Sequence, residues 1–247
     1  MEILAGFTAA QIGGALATGL VAAFIRGLAG FGMAILLVPV LALALTPVEA
    51  VLVTNGVALL VGLSEFRTIL REAERSAWVI GAWVMLATAP GLWLLDLTPP
   101  DLARVLIAFV AMSAFAAILL PQRAADLPGD FHTGTTGVAT GLLTGFAGMP
   151  GPPVVPYYVG RAIPRVQAKA SMLLIFTIAA FAGLGSGAAL GLMQLRYLML
   201  ASILFPAVLL GNWLGSLAFG KVSDRVWRSF VALVLAAAAA VALIKLL

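Results

Sequence analysis

The sequence predicts an all-α, polytopic helical membrane protein, with about eight to ten membrane segments in two inverted repeats that contain broken or re-entrant helices. Three observations carry this. First, 63% of the 247 residues are hydrophobic and 10% are charged, against roughly 25% charged in a soluble domain. With a mean hydropathy of +1.14, a soluble fold of this size, which buries only about 70% of its surface, could not hide so much apolar side chain. Second, charged residues divide the chain into apolar runs of membrane-spanning length. Third, two clusters of glycine and proline recur about half the chain apart. A soluble globule and a disordered chain are both excluded.

Ten segments follow in order. The first, 5–26, ends at Arg26. It lacks a basic n-region and runs on into apolar sequence, unlike a cleaved signal peptide. Gly27, Gly30 and Gly32 interrupt the chain before the second segment, 31–45. The third covers 47–64, with Glu49 at its start. A charged stretch, 65–76, places Arg67, Arg71 and Arg75 at i, i+4 and i+8, one face of a short anchor helix. The fourth segment, 77–95, carries Trp78 and Trp93 near its ends, as interfacial tryptophans do. The fifth covers 102–120, and Pro128, Gly129, Asp130 and Gly134 then mark a loop that holds His132. The sixth and seventh, 135–148 and 152–160, are separated by Gly148, Gly151, Pro152 and Pro153. Glycine loosens a helix there and proline removes a backbone donor. The last three segments cover 168–190, 197–219 and 225–246. The second, sixth and seventh are short and read as half-helices or re-entrant pieces. The domain division is a first repeat over 1–122, a linker over 123–134 and a second repeat over 135–247.

Topology follows from the cations. Alternating the loops between two faces puts Arg26, Arg67, Arg71, Arg75, Arg123, Arg161, Arg165, Lys169, Lys221, Arg225 and Arg228 on one side. Only Arg104, Arg196 and Lys245 fall on the other. The first side is therefore predicted to be cytoplasmic, with both termini outside, in a cell (inner) membrane.

The repeat is read from ordered matches. Gly27-Leu28-Ala29-Gly30 aligns with Gly145-Phe146-Ala147-Gly148; Pro39 then matches Pro156, Pro47 matches Pro164, and Thr54 matches Ser171. Five segments per repeat, an odd number, would insert the second half in the opposite sense. Paired glycine–proline interruptions are where such proteins bind substrate. The competing use of these glycines is close helix packing.

Residues 26–34, Arg-Gly-Leu-Ala-Gly-Phe-Gly-Met-Ala, and 141–153, Gly-Leu-Leu-Thr-Gly-Phe-Ala-Gly-Met-Pro-Gly-Pro-Pro, resemble the double glycine-rich motif of the sulfite exporter TauE/SafE family. The resemblance covers essentially the whole chain. It implies a multi-pass inner-membrane protein that moves small anions such as sulfite, sulfonates and related sulfur-containing carboxylates. The first motif departs from the run of three glycines seen in many members, having Gly-Phe-Gly-Met instead.

The site residues expected to bind substrate are Arg26, Gly27, Gly30, Gly32, Thr54, Asn55, Gly145, Gly148, Gly151, Pro152 and Ser171. Backbone N–H groups at broken helix N-termini supply positive potential without side-chain charge. Gly30 to Gly32 and Gly148 to Gly151 are placed to present them. Arg26 is the one cation beside a break; it either grips a sulfonate or carboxylate by two hydrogen bonds or reaches the interface from a helix end. Thr54, Asn55 and Ser171 either donate to a substrate oxygen or hydrogen-bond between helices. Thr144 and Gln194 are weaker candidates, Asn212 reads as an interhelical bond, and Glu49 as an exposed helix-N-terminal carboxylate.

The expected function is a secondary transporter, working in the export direction, that acts by alternating access on a small anion, sulfite, an organosulfonate or a related sulfur-containing or carboxylate anion. A proton or the membrane potential would drive it, with the lipid bilayer as its environment. An anion channel or a non-transporting assembly subunit are the alternatives. No enzyme motif is present: there is no P-loop, HExxH or Gly-x-Ser-x-Gly. Cysteine is absent and His132 is the sole histidine, so no metal or cofactor is expected. The net charge of +4 reflects topology, not nucleic-acid binding. A homo-oligomer is compatible with all of this.

Overall fold

The computed structural model describes residues 2–4, 7–29, 31–119, 129–159, 161 and 163–218, with isolated helical positions at 233, 236, 239, 240, 243 and 244. Gly30, residues 123–128 of the 123–134 linker and most of the 225–246 segment lie outside the described residues. A short antiparallel pair, β1 (Glu2–Leu4) and β2 (Phe7–Thr8), precedes α1 (Ala9–Ala29). Thr8 starts that helix by a reciprocal cap: its N–H donates to Gln11 Oε1 at 2.9 Å and its Oγ1 accepts from the Gln11 N–H at 3.2 Å.

The remaining helices are α2 (Met33–Ala44), α3 (Pro47–Ser64), α4 (Phe66–Glu72), α5 (Arg75–Leu97), α6 (Pro100–Leu119), α7 (Asp130–Ala147), α8 (Gly151–Val159), α9 (Arg165–Ala189) and α10 (Leu195–Ala218). By length and composition, five are apolar enough to cross a membrane: those at 9–28, 47–64, 75–97, 166–189 and 195–218. The helical membrane class is therefore as the composition required.

Three local expectations need correction. The 65–76 stretch does not form one helix. α4 stops at Glu72, and Arg75 opens α5, so the three arginines do not share a helical face. The interruption has a tertiary cause, because Ser171 Oγ on α9 accepts the Glu74 N–H at 2.9 Å just before α5 begins. His132 lies in the first turn of α7, not in a loop, and stacks on Tyr157 with ring centroids 5.8 Å apart. The predicted loop therefore ends at Gly129. Glu49 is buried rather than exposed. It closes a capping box with Thr46 and donates its charge to a pair with Arg196.

Helix packing is organised around α3, α5, α9 and α10. α1 lies against α10, and α5 lies against α7. α3 crosses α9, α5 also meets α9, and α3 also meets α10. Close approach at the first two pairs depends on missing side chains. A Cβ at Gly27 would strike the Asn212 carbonyl of α10, and one at Gly145 would strike the Thr88 carbonyl and the Leu92 nitrogen of α5. These are backbone-on-backbone crossings of the kind that small residues permit between apolar helices.

Charges collect at two ends. At one end, where α1, α3 and α8 finish and α5 and α9 begin, stand Arg26–Glu65 at 3.0 Å and Arg161–Glu74 at 2.6 Å. At the other, where α3, α6 and α10 begin, stand Arg196–Glu49 at 2.6 Å and Arg104–Asp101 at 2.6 Å. Trp78 and Trp93, near opposite ends of α5, are both about half exposed, as side chains at two interfaces would be.

Candidate anion site at two helix breaks

The two glycine clusters form equivalent breaks. α1 ends at Ala29 and α2 begins at Met33, with Gly32 between them at φ 99°. α7 ends at Ala147 and α8 begins at Gly151, with Gly148 between them at φ 65°. Left-handed backbone is open to glycine and costs other residues roughly 1–2 kcal/mol. Each short helix also contains a proline, Pro39 in α2 and Pro156 in α8. Proline cannot donate to the preceding turn, which keeps both pieces short or bent.

The breaks meet at one cavity. The empty space there, open solvent at its mouth included, is about 700 Å³. From the first break it is lined by Phe31, Gly32, Met33, Ala34 and Ile35, and from the second by Gly148, Met149, Pro150 and Gly151. α3 contributes Asn55, Ala58, Val61 and Gly62; α9 contributes Leu173, Phe176 and Thr177; α1 contributes Arg26. On α3 the lining runs from mid-helix at Asn55 to Gly62, near the end that carries Arg26–Glu65.

The predicted site residues divide sharply. Arg26, Gly32, Asn55, Gly148 and Gly151 line the cavity. Gly27 and Gly145 sit instead at the α1–α10 and α7–α5 crossings. Thr54 is buried with its Oγ1 unpartnered, outside the lining. Pro152 is on α8 but not in the lining, and Ser171 is occupied by the Glu74 N–H. Thr144 donates to the Thr140 carbonyl at 2.7 Å, and the Gln194 carbonyl accepts from the Tyr197 N–H at 3.0 Å. Neither faces the cavity.

Arg26 is held, not free. Its Nη1 donates to Asn212 Oδ1 at 2.8 Å and its Nη2 to Glu65 Oε1 at 3.0 Å. It is the one charged side chain among the described lining residues, and its charge is matched by Glu65. Asn212 is thus an interhelical partner, tying α10 to α1 through the arginine. Asn55 is 2% exposed, and its Nδ2 has no hydrogen-bond partner. That nitrogen rests against Gly183 of α9, where a Cβ would collide with it.

The two helix N-termini are not equal donors. α2 has no side-chain cap at Gly32, so no capping side chain takes up the first-turn N–H groups of Met33, Ala34 and Ile35. The N–H groups of Gly148 and Met149 are spent on closing α7, bonding to the Thr144 carbonyl at 2.9 Å and the Leu143 carbonyl at 3.2 Å. Pro150, Pro152 and Pro153 have none to give. Of the stretch from Gly148 to Gly151, only Gly151 keeps a backbone donor near the cavity, fewer than the glycines alone suggest.

Thr177, Gly62, Met149 and Phe176 were not picked out by sequence reasoning. Gly62 faces Thr177 so closely that a Cβ there would be 2.7 Å from its Cγ2. The usable signal was the α3–α9 match already seen at Thr54 and Ser171, extended one and two turns along each helix.

A second polar cluster lies beside the cavity at the charged end. Arg161 Nη1 and Nη2 donate to the two Glu74 carboxylate oxygens at 2.6 and 2.8 Å. The guanidinium also stands over the Tyr157 and Tyr158 rings at 5.4 and 5.7 Å. Tyr158 Oη and Ser76 Oγ share a hydrogen bond of 2.7 Å, and Tyr157 Oη and Thr133 Oγ1 one of 2.9 Å. Burial pushes the Glu74 carboxyl up, but hydrogen bonds from Arg161 and Ser76, with the Arg161 charge, outweigh it and hold it below its ordinary value. The cluster fastens the end of α8 to the start of α5.

Compared with known proteins, residues 15–242 match the family model described as Sulfite exporter TauE/SafE. No curated protein and no solved structure matches the chain.

Proposed function

The chain belongs to the sulfite exporter TauE/SafE family, a family of membrane transporters and not of enzymes, and from that membership we propose a secondary transporter that carries a small anion by alternating access at the cavity between the two breaks. One observation carries the reading: two separate glycine–proline breaks, one from each half of the chain, line a single cavity. A helix with a purely structural role has no need to stop at Gly32 and expose an uncapped first turn to that space.

In this mechanism the first-turn N–H groups of α2 and the Gly151 N–H attract the anion, with Asn55 supplying a side-chain donor. Arg26 stays paired with Glu65 and Asn212 and sets the electrostatics of the inner end. The halves 1–122 and 135–247 act as inverted repeats. Packing supports this: if segments one to five correspond to six to ten, the α1–α10 contact maps onto α7–α5, and α3–α10 maps onto α9–α5. Glu74–Arg161 seals the cytoplasmic side, and Glu49–Arg196 the outer side. A proton or the membrane potential supplies the drive.

The test is uptake of labelled sulfite, sulfonates and short carboxylates into proteoliposomes, with and without an imposed proton gradient. Saturable movement that shows counterflow is the expected result. Large non-saturating currents would make the protein a channel. Absence of movement for every anion, with a folded and inserted protein, would refute transport.

A further inference from the structure

A second groove lies away from the cavity at the breaks, along the outward side of the α5–α7 pair. We propose that this groove binds one phospholipid with a zwitterionic ethanolamine head, in the leaflet at the Arg161–Glu74 end of the protein.

Helix geometry gives the groove its shape. α5 and α7 run side by side in the same direction: a Cβ at Gly137 would meet Trp83 and Ile80, and one at Gly141 would meet Val84 and Ala87. Missing side chains bring the two backbones together, and larger side chains on the outward faces stand off as walls. Val79 and Trp83 line the groove from α5; Asp130, Gly134, Val138 and Leu142 line it from α7. The empty space there, open surroundings included, is about 1090 Å³. The four apolar side chains of this wall are each about two-fifths exposed. α5 is long and apolar enough to cross a membrane, so its outward side meets lipid. From Asp130 to Leu142 the α7 axis rises roughly 18 Å, and one leaflet of hydrocarbon is about 15 Å deep. The groove is therefore as long as one acyl chain's leaflet.

Its charge lies at one end. Asp130, in the first turn of α7, is the one charged side chain among the described lining residues. Arg75 opens α5 one turn before Val79, on the same helical face, and is exposed. A carboxylate and a guanidinium thus stand at the mouth, above an apolar floor. A zwitterionic head meets both, its ammonium against Asp130 and its phosphate against Arg75. An ethanolamine ammonium donates charge-assisted hydrogen bonds to the carboxylate, which a trimethylated choline head cannot. A head of net negative charge would be attracted by Arg75 and repelled by Asp130.

The independent pointer is the indole of Trp83. Its Nε1 lies over Gly134, where a Cβ would stand 3.6 Å away, and it has no hydrogen-bond partner among the described residues. A donor at the edge of hydrocarbon needs an acceptor. Gly134 is four residues beyond Asp130, roughly 6 Å deeper along α7, the level at which a phospholipid carries its ester carbonyls below the head. Charge, donor and apolar trough are thus stacked in the order of a phospholipid's own parts. A second copy of the chain fits less well. A two-fold axis along the membrane normal would set groove against groove, hollow facing hollow.

The experiment is native mass spectrometry of the full chain released from detergent, with phosphatidylethanolamine, phosphatidylcholine and phosphatidylglycerol of identical acyl chains added in turn. One phosphatidylethanolamine should be retained about fivefold better than either other lipid. Asp130→Asn should abolish that preference. Arg75→Gln should weaken all three lipids alike, by about fivefold. Val138→Trp, which fills the trough, should remove retention altogether, and thermal unfolding checks that each variant is folded. Asp130 and Arg75 lie at the helix starts, so their variants keep the test open if Val138→Trp does not fold. Equal retention of the three lipids by the parent, a preference for phosphatidylglycerol, or retention that survives in a folded Val138→Trp protein would overturn the site. A dimer that Val138→Trp dissociates, with lipid retention unchanged, would assign the face to a second copy instead.

Discussion

Replacing Gly145 by alanine tests whether the motif glycines serve ligand or backbone. An added Cβ would overlap the Thr88 carbonyl oxygen and the Leu92 nitrogen and stand 2.8 Å from the Gly91 carbonyl carbon. All three atoms are backbone of α5, so no side-chain rotation relieves the contact. α5 and α7 must part by roughly 1 Å, which also loosens their approach along the small-residue face. Overpacking costs about 1–3 kcal/mol, and the rigid neighbours put this case near the upper end. For a chain of this size that lowers the unfolding midpoint by about 5–10 °C. The assay is thermal unfolding in detergent, followed by tryptophan fluorescence. Gly13→Ala is the control, because nothing lies within 4 Å of a Cβ there, and it should leave the midpoint unchanged or raise it slightly. Gly27→Ala, facing the Asn212 carbonyl and the Ser216 nitrogen at 2.9 Å, should match Gly145→Ala. A Gly145→Ala protein that melts with the control would refute the α5–α7 crossing and return Gly145 to the list of ligand-facing glycines.

Glu74→Gln leaves the buried Arg161 guanidinium without its carboxylate and should destabilise by about 3 kcal/mol, much of it recovered in the Glu74→Gln, Arg161→Met double variant; paired unfolding curves measure both. The Glu74 carboxyl is held below its ordinary value in the folded protein, so its stabilisation is full above the unfolded value and is lost as pH falls through the folded one. Acid unfolding should therefore begin less steeply in Glu74→Gln than in the parent, and identical acid limbs would count against the pairing. Gly148→Ala forces an alanine to φ 65° beside Val38 Cγ2 at 3.0 Å. It should cost about 1–2 kcal/mol and impair transport more than stability, read by comparing uptake with melting. Because the chain has no cysteine, Leu195→Cys and Phe131→Cys report topology directly: an impermeant thiol reagent should label the first from outside and the second only after permeabilisation, and the reverse pattern would invert the orientation.

The helix bounds were legible because apolar runs, charge stops and helix length coincide; α3 falls on 47–64 as its run does. The breaks were legible for a different reason. Glycine followed some residues later by proline has few uses inside a membrane helix, and Gly32–Pro39 and Gly148–Pro156 repeat it. What escaped was everything settled across the chain. A glycine in a sequence does not say whether its missing side chain makes room for a ligand or for another backbone, and so Gly145 and Gly148 looked alike. Only the first meets α5 at backbone distance. Ser171 looked like a substrate donor because nothing local reveals the Glu74 N–H, 97 positions away, that it accepts. Glu49 looked exposed because its partner Arg196 is 147 positions distant. The cavity wall on α9, from Leu173 to Thr177, carried no motif at all. Its place follows from α9 crossing α3, a tertiary fact.

The ion pairs Glu49–Arg196 and Glu74–Arg161 bear on how such a carrier would move. Glu49 sits at the start of α3 and meets Arg196 at the start of α10; Arg161 precedes α9 and meets Glu74, which precedes α5. Under the repeat correspondence these are the same joint at opposite faces, with acid and base exchanged. Residue-by-residue comparison of the halves cannot find such a match, since position and role agree while residue type is inverted. The joints also differ in strength. Arg161 grips both oxygens of Glu74 and its side chain is 5% exposed, whereas Arg196 makes one contact to Glu49 and is 32% exposed. Bidentate, desolvated pairs are costlier to break than single, wetter ones. If alternating access exchanges one joint for the other, the resting balance then favours the state closed at Glu74–Arg161 and yielding first at Glu49–Arg196. An anion can reverse that preference only through contacts it makes better in the other state. The groups within its reach for this are the α2 first turn and the Asn55 amide, because Arg26 is already committed to Glu65 and Asn212.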